Sequence, residues 1–378
     1  MRFEIYSKDL KALVDRVSAV VPKKPLLNYL TYVKVEVIGK NLKIHATDID
    51  NYIIARTDVN SYEDGVTWVR YDDLKRVTGM AGDVTISSSE NTMRFSNGSK
   101  AYEFSCSDFG KEFPEVPVMS DAKPAMSIAD KEMVEALKKI SCCLGNNGNN
   151  KILEAYCINL NNSEIVALDG HRIGVAKIIP IVINCGGRLL IDKKILPILT
   201  AAVGKNKVLS IIYVETNDKS LRLFSDDFEL FTRLVNGTPY NYQQLINVPQ
   251  DWRVKACTRS LERIAKEYVK VGKIEPTKPM MFYKNSSKNV FATSMECADF
   301  RTSDVFDVDG YTEEIKFGMN PQFIADACSS LDNDAVITGV YNSKAPIIIK
   351  DNFYKFLILP VNVNNANFGF VTKQFEEA

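Results

Sequence analysis

Histidine and tryptophan are scarce in this chain, with two of each in 378 residues. A histidine-rich metal site is therefore excluded, since His45 and His171 are the whole supply. Eight cysteines are present, but no Cys-x-x-Cys pair occurs, and only Cys142 and Cys143 are neighbours. A chain of this length can bury a core without disulfide staples, so the cysteines read as reduced, mostly buried small hydrophobes. A disulfide framework or a zinc site is the less favoured alternative, and no metal or cofactor is expected. There is no Gly-x-Ser-x-Gly and no Gly-rich phosphate cradle; Cys185-Gly186-Gly187 is too short to count as one.

Long apolar runs are missing too: none approaches the roughly 20 residues a membrane span needs. Met1-Arg2-Phe3-Glu4-Ile5-Tyr6 lacks the apolar centre of a secretory signal. The expectation is a cytoplasmic protein with no membrane partner. Net charge is absent, 47 basic residues against 47 acidic. That excludes a surface coated in positive charge but not a local basic face, which is what nucleic-acid binding requires.

What is present is periodic. Residues 7–21 place Leu10, Leu13, Val14, Val17 and Val21 on one helical stripe, with Ser7 as the expected N-cap and Pro22 and Pro25 as stops. Three strand-like runs follow, at 32–37, 42–47 and 52–56, the first two joined by a Gly/Asn turn. A short helix from Asp72 and three more strands complete the pattern before Pro114 and Pro117. The same order returns from Asp130 and again from Arg259, with second helices starting near Asp192 and Asn320. Helix, three strands, helix, three strands thus occurs three times. Helix-then-hairpin order without βαβ alternation predicts antiparallel sheets and an α+β fold. The expected domains are 1–121, 122–250 and 251–363, followed by a tail, 364–378.

One hexapeptide invites a catalytic reading: Ala167-Leu168-Asp169-Gly170-His171-Arg172. An acid and a histidine in a turn could do general acid–base work, but they need a nucleophile or metal beside them, and the sequence offers neither. No catalytic residue is therefore assigned. A plain structural turn, with Gly170 allowing the bend and Arg172 pairing Asp169, stands as an alternative.

Four stretches carry a resemblance that runs from Met1 to about Val363. They are the opening helix with Lys24-Pro25 and Leu27, the segment Ala167–Ile173, the segment Asn320–Ala327, and Phe356-Leu357-Ile358-Leu359-Pro360-Val361. Together they resemble the bacterial β sliding clamp, the processivity subunit of the replicative DNA polymerase. Gly237-Thr238-Pro239-Tyr240-Asn241-Tyr242 departs from the family's usual pattern, with proline displaced and Asn241 in place of Asp. Gln243-Gln244 replaces a usual basic residue, and the chain continues past the usual end. A divergent member is expected, with the role of the tail and the effect of the altered 240–244 segment left open.

The resemblance implies three clamp-fold domains per chain and a homodimer forming a six-domain ring around duplex DNA, bound without regard to sequence. It implies a non-enzymatic role, tethering the polymerase catalytic subunit, a clamp loader and other motif-bearing proteins through a hydrophobic pocket. Leu168, Gly170, His171, Arg172, Ile173, Leu245, Asn320, Phe323, Pro346, Leu359, Pro360 and Val361 are the pocket residues expected. Lys24, Arg70 and, more weakly, Lys151 match DNA-contact regions. Lys131, Lys138, Lys139, Lys193 and Lys194 lie off the apolar stripes of their helices and are further candidates, as are Lys8, Lys11 and Arg16; ordinary surface lysines are the alternative. Lys205 and Lys207 follow the Asp192 helix. Tyr102 and Phe104 on one side, and Tyr268, Val269 and Val271 on the other, are dimer candidates, with core burial as the alternative for each. Phe368 and Phe370 in the tail are expected to fold back near the pocket. A β-rich interaction scaffold that never encircles DNA is the competing reading.

Overall fold

The computed structural model describes all residues except 108, 110–111, 147, 149, 206–209 and 273–277, and the side chains of 365–366. Among the described residues one motif, strand–helix–three strands, occurs six times. The first copy is β1 (Arg2–Tyr6), α1 (Ser7–Val17), β2 (Tyr32–Ile38), β3 (Asn41–Thr47) and β4 (Asn51–Asp58). After a short β5 (Asn60–Glu63) come β6 (Gly65–Arg70), α2 (Tyr71–Val77), β7 (Asp83–Ser88), β8 (Thr92–Ser96) and β9 (Ala101–Ser105). The third copy is β10 (Lys123–Ala129), α3 (Asp130–Ile140), β11 (Ala155–Asn159), β12 (Glu164–Leu168) and β13 (Arg172–Lys177). The two-residue β14 (Val182–Ile183) precedes β15 (Arg188–Asp192), α4 (Ile195–Val203), β16 (Ile211–Thr216), β17 (Ser220–Phe224) and β18 (Phe228–Arg233). A one-turn helix, α5 (Gln243–Ile246), leads to β19 (Trp252–Ala256), α6 (Thr258–Val271), β20 (Met280–Lys284), β21 (Val290–Glu296) and β22 (Arg301–Asp309). The sixth copy is β23 (Ile315–Met319), α7 (Pro321–Ser330), β24 (Ala335–Gly339), β25 (Ile347–Lys350) and β26 (Tyr354–Ile358), and the chain ends in α8 (Gly369–Glu377).

The α+β expectation holds, with all strand pairs antiparallel among those described. The sequence reading lacked the strand that leads into each helix. Two of these alternate plainly, buried–exposed, in Arg2–Tyr6 and Trp252–Ala256. The strand expected from Val208 is seen from Ile211; residues 206–209, Lys207 included, lie outside the described residues.

Two compact units are formed, Met1–Glu135 with Ile179–Asn236, and Ala136–Ile178 with Gly237–Ala378. In the first, β5-β1-β7-β8-β9 form one sheet and β14-β10-β16-β17-β18-β4-β3-β2-β6 another. The β18–β4 ladder, Phe228↔Ala55 to Thr232↔Asn51, fuses strands of the fourth motif to those of the first. In the second unit the hydrogen-bonded order is β11-β12-β13-β26-β25-β24-β19-β22-β21-β20-β23. There the β13–β26 ladder, Arg172↔Ile358 to Ala176↔Tyr354, does the same for the third and sixth.

Helical stripes face the cores. Leu10, Leu13, Val14 and Val17 of α1 are buried, as are Leu261, Ile264, Ala265 and Tyr268 of α6. Some local expectations fail. Ser7 is not a cap: Tyr6 holds that position without a side-chain bond, and Ser7 is buried in the first turn. The helix also ends at Val17, ahead of Pro22. Arg16 is buried, donating to Asp227 Oδ2 at 2.6 Å and Ala202 O at 3.2 Å, so it is not a surface base. Asn320 does cap α7, its side chain accepting from Gln322 N at 2.9 Å. Tyr268 is 1% exposed and its hydroxyl donates to Thr293 O at 3.1 Å; it is a core residue and not part of an interface surface. The tail does not fold onto the predicted pocket. Phe368, Val371 and Phe375 are buried against Met281, Tyr283 and Ala292 of β20 and β21.

A charged cluster lies within the nine-stranded sheet. Lys34 pairs Glu36 at 2.9 Å, His45 Nε2 lies 3.6 Å from the same carboxylate, and His45 Nδ1 is 3.1 Å from the Tyr52 hydroxyl. The neighbouring His45, with Lys34, holds the Glu36 carboxyl down to about 2 against the opposing effect of burial. Burial lowers the His45 pKa from its ordinary 6.5, with Glu36 opposing it. Both shifts favour the fold at higher pH. The unfolded chain takes a proton near pH 6.5 that folded His45 takes only at lower pH. Glu36 adds stability above 4.5 that is lost as pH falls towards about 2. Urea midpoints of Glu36→Gln and the parent should therefore converge as pH falls through that acid window; parallel curves would contradict the assignment.

Candidate functional site

The turn from β12 to β13 is held by its aspartate. Asp169 Oδ1 accepts from the backbone N–H groups of His171 and Arg172, each at 2.9 Å. Gly170 sits at φ +93°, a left-handed conformation that a side chain would strain. Asp169 Oδ2 accepts from Arg172 Nε at 3.0 Å. Both carboxylate oxygens are thus engaged in building the turn.

Arg172 is the hub that joins this turn to other segments of the second unit. Its Nη1 donates to Asp326 Oδ2 at 2.6 Å, and its Nη2 donates to Cys142 O. Its guanidinium carbon stands 4.2 Å from the centroid of Phe323. One planar cation therefore ties together the β12–β13 turn, the segment after α3, and the first turns of α7. Asp326 is itself oriented by Gln322, whose Nε2 donates at 2.7 Å. Burial opposes the charge on Arg172, but Asp326 and the neighbouring groups more than offset it, so its pKa is raised. Two thiols lie behind it, Cys142 and Cys143, with sulfurs 3.9 Å apart. Their contact lowers the Cys142 pKa and raises that of Cys143.

The chain after β26 forms the next wall. Leu359 N donates to His171 O at 2.9 Å, and Val361 N to Gly318 O at 2.8 Å. The first bond sets Leu359 beside the turn, and the second sets Val361 next to the end of β23, two residues before Asn320. Ile347 pairs with Ile358, so Pro346 lies one step on, opposite Leu359. Leu168, Phe323, Pro346, Pro360 and Val361 are half-buried, Leu359 is exposed, and so are Gly170 and His171. Together these residues make a mostly apolar patch beside the Arg172 hub, with a few polar groups, a composition suited to anchoring short peptide segments.

Two pocket candidates stand apart. Ile173 is 6% exposed and paired on both sides, with Leu168 and Leu357, so it supports the cleft from within the sheet. Leu245 is exposed on α5, which Tyr242 ties to the far end of β12. The Tyr242 hydroxyl donates to Glu164 Oε2 at 2.6 Å and accepts from Asn159 Nδ2 at 2.7 Å.

Among the described residues β5, β9 and β14 each end a sheet, and β22 is paired on one side only over most of its length. β9 pairs only with β8. On it Tyr102 and Phe104 stack at 5.9 Å and 12°, half-buried on one sheet face. β22 pairs with β21 along 301–307, while its other side meets β19 only at Val308 and Asp309. Val269 and Val271 are half-buried near the end of α6.

The basic candidates divide. Lys24, Lys131, Lys138, Lys151 and Lys194 are exposed, and Lys193 is half-buried. Arg70 is exposed with its Nε donating to the Tyr32 hydroxyl at 3.0 Å, and Lys194 lies 3.5 Å from Asp48. Lys11 pairs Asp15 at 2.7 Å. Lys139 is half-buried, ion-paired to the exposed Asp332 and 4.4 Å over the Tyr354 ring, so its charge is already partnered within the chain. The sequence reading missed the exposed row Arg259, Arg263, Lys266 and Lys270 on α6, partly offset by Glu262 and Glu267. Its spacing, opposite the buried stripe, was the available signal.

No family model matches the chain. Curated relatives span it end to end. The beta sliding clamp of Chlamydia muridarum is 22% identical, over 97% of this chain and 100% of its own. That of Rickettsia bellii is 21% identical, over 95% and 99%. Among solved structures, the DNA polymerase beta subunit of Streptococcus pyogenes gives a TM-score of 0.88 at 13% identity, and the putative DNA polymerase III beta subunit of Eubacterium rectale 0.86 at 21%. A Pseudomonas aeruginosa sliding clamp bound to griselimycin gives 0.86 at 16%. Each covers 96% of this chain and 100% of its own. The chain has the sliding-clamp fold throughout.

Replacing Arg172 should be costly because it takes the shared donor from two half-buried carboxylates and a half-buried residue's carbonyl. Arg172→Ala is expected to lose about 3 kcal/mol. Arg172→Lys should recover little, since one ammonium cannot meet three acceptors in a plane. Chemical denaturation of the two variants checks this; a lysine variant as stable as the parent would contradict the hub.

Proposed function

We propose that this protein is a DNA polymerase processivity factor, a sliding clamp. Two copies close head to tail into a ring around duplex DNA, and the Arg172 cleft takes short apolar segments of a polymerase catalytic subunit, a clamp loader and other partners. The observation that carries the reading is the end-to-end match, in sequence and fold, to chains known as sliding clamps. The role is that of an accessory, non-catalytic subunit in the cytoplasm. Three clamp domains, 1–121, 122–250 and 251–363, would each contribute two of the six motifs, with 364–378 as an added tail.

The physical case rests on topology. A ring needs no base contacts, only a modest positive inner surface whose attraction for phosphate is independent of sequence and sensitive to salt. Lys24, Arg70, Lys131, Lys138, Lys151, Lys193 and Lys194 are the proposed phosphate contacts, joined by Arg259, Arg263, Lys266 and Lys270. Leu168, His171, Phe323, Leu359 and Pro360 line the peptide cleft; Gly170, Arg172 and Asn320 shape it. Griselimycin, the ligand of the Pseudomonas aeruginosa clamp, is the proposed probe for this cleft.

The open edges fit ring closure, because β9 of one copy can extend the sheet at β22 of the other and remove both exposed ladders. Phe104→Arg places a charge on that contact and should convert dimer to monomer on a sizing column at micromolar concentration. An unchanged dimer would remove β9 from the interface.

Retention on DNA is the functional test. Loaded by a clamp loader on nicked circular DNA, the protein should stay bound through a high-salt wash and be released when the circle is cut. A scaffold that never encircles DNA gives no retention, and an ordinary DNA binder is indifferent to cutting. Leu168→Lys should retain the ring yet abolish polymerase stimulation.

A further inference from the structure

We infer that the C-terminal helix α8 is a positioning strap for the cleft, docked on the sheet of β20, β21 and β22 so as to hold the Leu359–Val363 wall in its binding arrangement. The inference rests on the cleft reading above and deepens it.

The wall is irregular chain, neither strand nor helix. Its described main-chain anchors are Leu359 N to His171 O at 2.9 Å and Val361 N to Gly318 O at 2.8 Å. A terminal segment with so few bonds frays unless something beyond it is tied down. Here something is. At the end of the wall, Val363 packs on Gly318, where an added Cβ would stand 3.0 Å from Val363 Cγ1. The absence of a side chain at Gly318 is what lets the strand and the wall approach so closely.

The chain then buries Phe368, Val371 and Phe375 on the sheet face. The Phe375 ring meets Tyr283 edge-on, with centroids 5.0 Å apart at 78°. The helix end is also capped: Lys288 Nζ donates to the carbonyls of Phe375 at 3.0 Å and Glu376 at 2.9 Å. A cation there satisfies otherwise unpaired carbonyls and suits the helix dipole. From β22, Ser303 Oγ donates to Gln374 Oε1 at 2.8 Å.

The wall is therefore fixed at both ends, by the β13–β26 ladder before it and by α8 after it. Holding a binding segment in its bound shape reduces the ordering a ligand must impose. Releasing α8 lowers the fraction of molecules with the wall in place, and apparent affinity falls by that fraction. Sequence composition alone does not reveal the anchor, because Phe368, Val371 and Phe375 meet partners some 80 residues earlier in the chain.

The test compares the full chain with a deletion of residues 365–378, with Phe375→Asp and with Phe375→Leu. Hydrogen exchange and binding of labelled griselimycin are measured on each. For the deletion and Phe375→Asp, exchange at Leu359–Val363 should rise by about tenfold and griselimycin binding should weaken by about tenfold. Protection in β12 and β13 should be unchanged, and Phe375→Leu should bind like the parent. Unchanged exchange and affinity without the helix would overturn the strap, as would loss of protection spreading into β12 and β13. If the parent chain binds no griselimycin, the cleft reading fails as tested with that probe, while exchange at the wall still decides for or against the strap.

Discussion

Unpaired strand edges are the constraint that shapes this molecule. Six short strand–helix–three-strand motifs each end in a ladder that needs a neighbour, and a ladder left bare is prone to pair with whatever it meets. Within the first unit β18 pairs β4, and within the second β13 pairs β26, so that one motif's edge is the next one's partner. The β6 edge is partly covered at Trp68 by Ser107, which exchanges two main-chain bonds with it. The β23 edge takes Val361. Among the described residues the edges left bare include β9, most of one side of β22, and the short β5 and β14. The proposed ring is the continuation of the same rule from motif to motif into chain to chain.

The proposed peptide cleft depends on a different interaction, the one guanidinium of Arg172. Three acceptors from three segments converge on it, and Phe323 lies against its face. Aspartate and histidine in the turn look like chemistry when seen as text. In the structure Asp169 is occupied with two backbone N–H groups and one arginine, and His171 contributes its carbonyl to Leu359. The turn is a joint, with the exposed Leu359 and the half-buried Leu168 beside it.

Much of this was legible in the residues. Helical stripes in α1, α3 and α6 are strong because their apolar spacing is regular, and the threefold recurrence followed from them. The lead strands were overlooked although Arg2–Tyr6 and Trp252–Ala256 alternate, because five residues beside a helix carry a weak signal. Ser7 and Tyr268 show the limit of local rules. Ser7 has the right chemistry for a cap but its main chain is already bonded to Gly82, and Tyr268 sits on the inward stripe despite a polar hydroxyl that Thr293 satisfies. Lys139 and Arg16 read as surface bases in the sequence, which does not show the distant Asp332 and Asp227 that pair with them. The tail was misplaced for the same reason: its apolar residues were evident, but the face that receives them lies far away in the chain.

If edge pairing governs assembly, the open ladders must become protected when two copies meet. Hydrogen exchange across a dilution series measures this directly. The amides of Tyr102–Ser105 that point away from β8, and those of residues 302–307 that point away from β21, should exchange freely in dilute protein and become protected together as concentration rises, while β18 and β13 stay protected throughout. Edges that exchange equally fast at every concentration, in a protein that nonetheless forms dimers, would contradict the account.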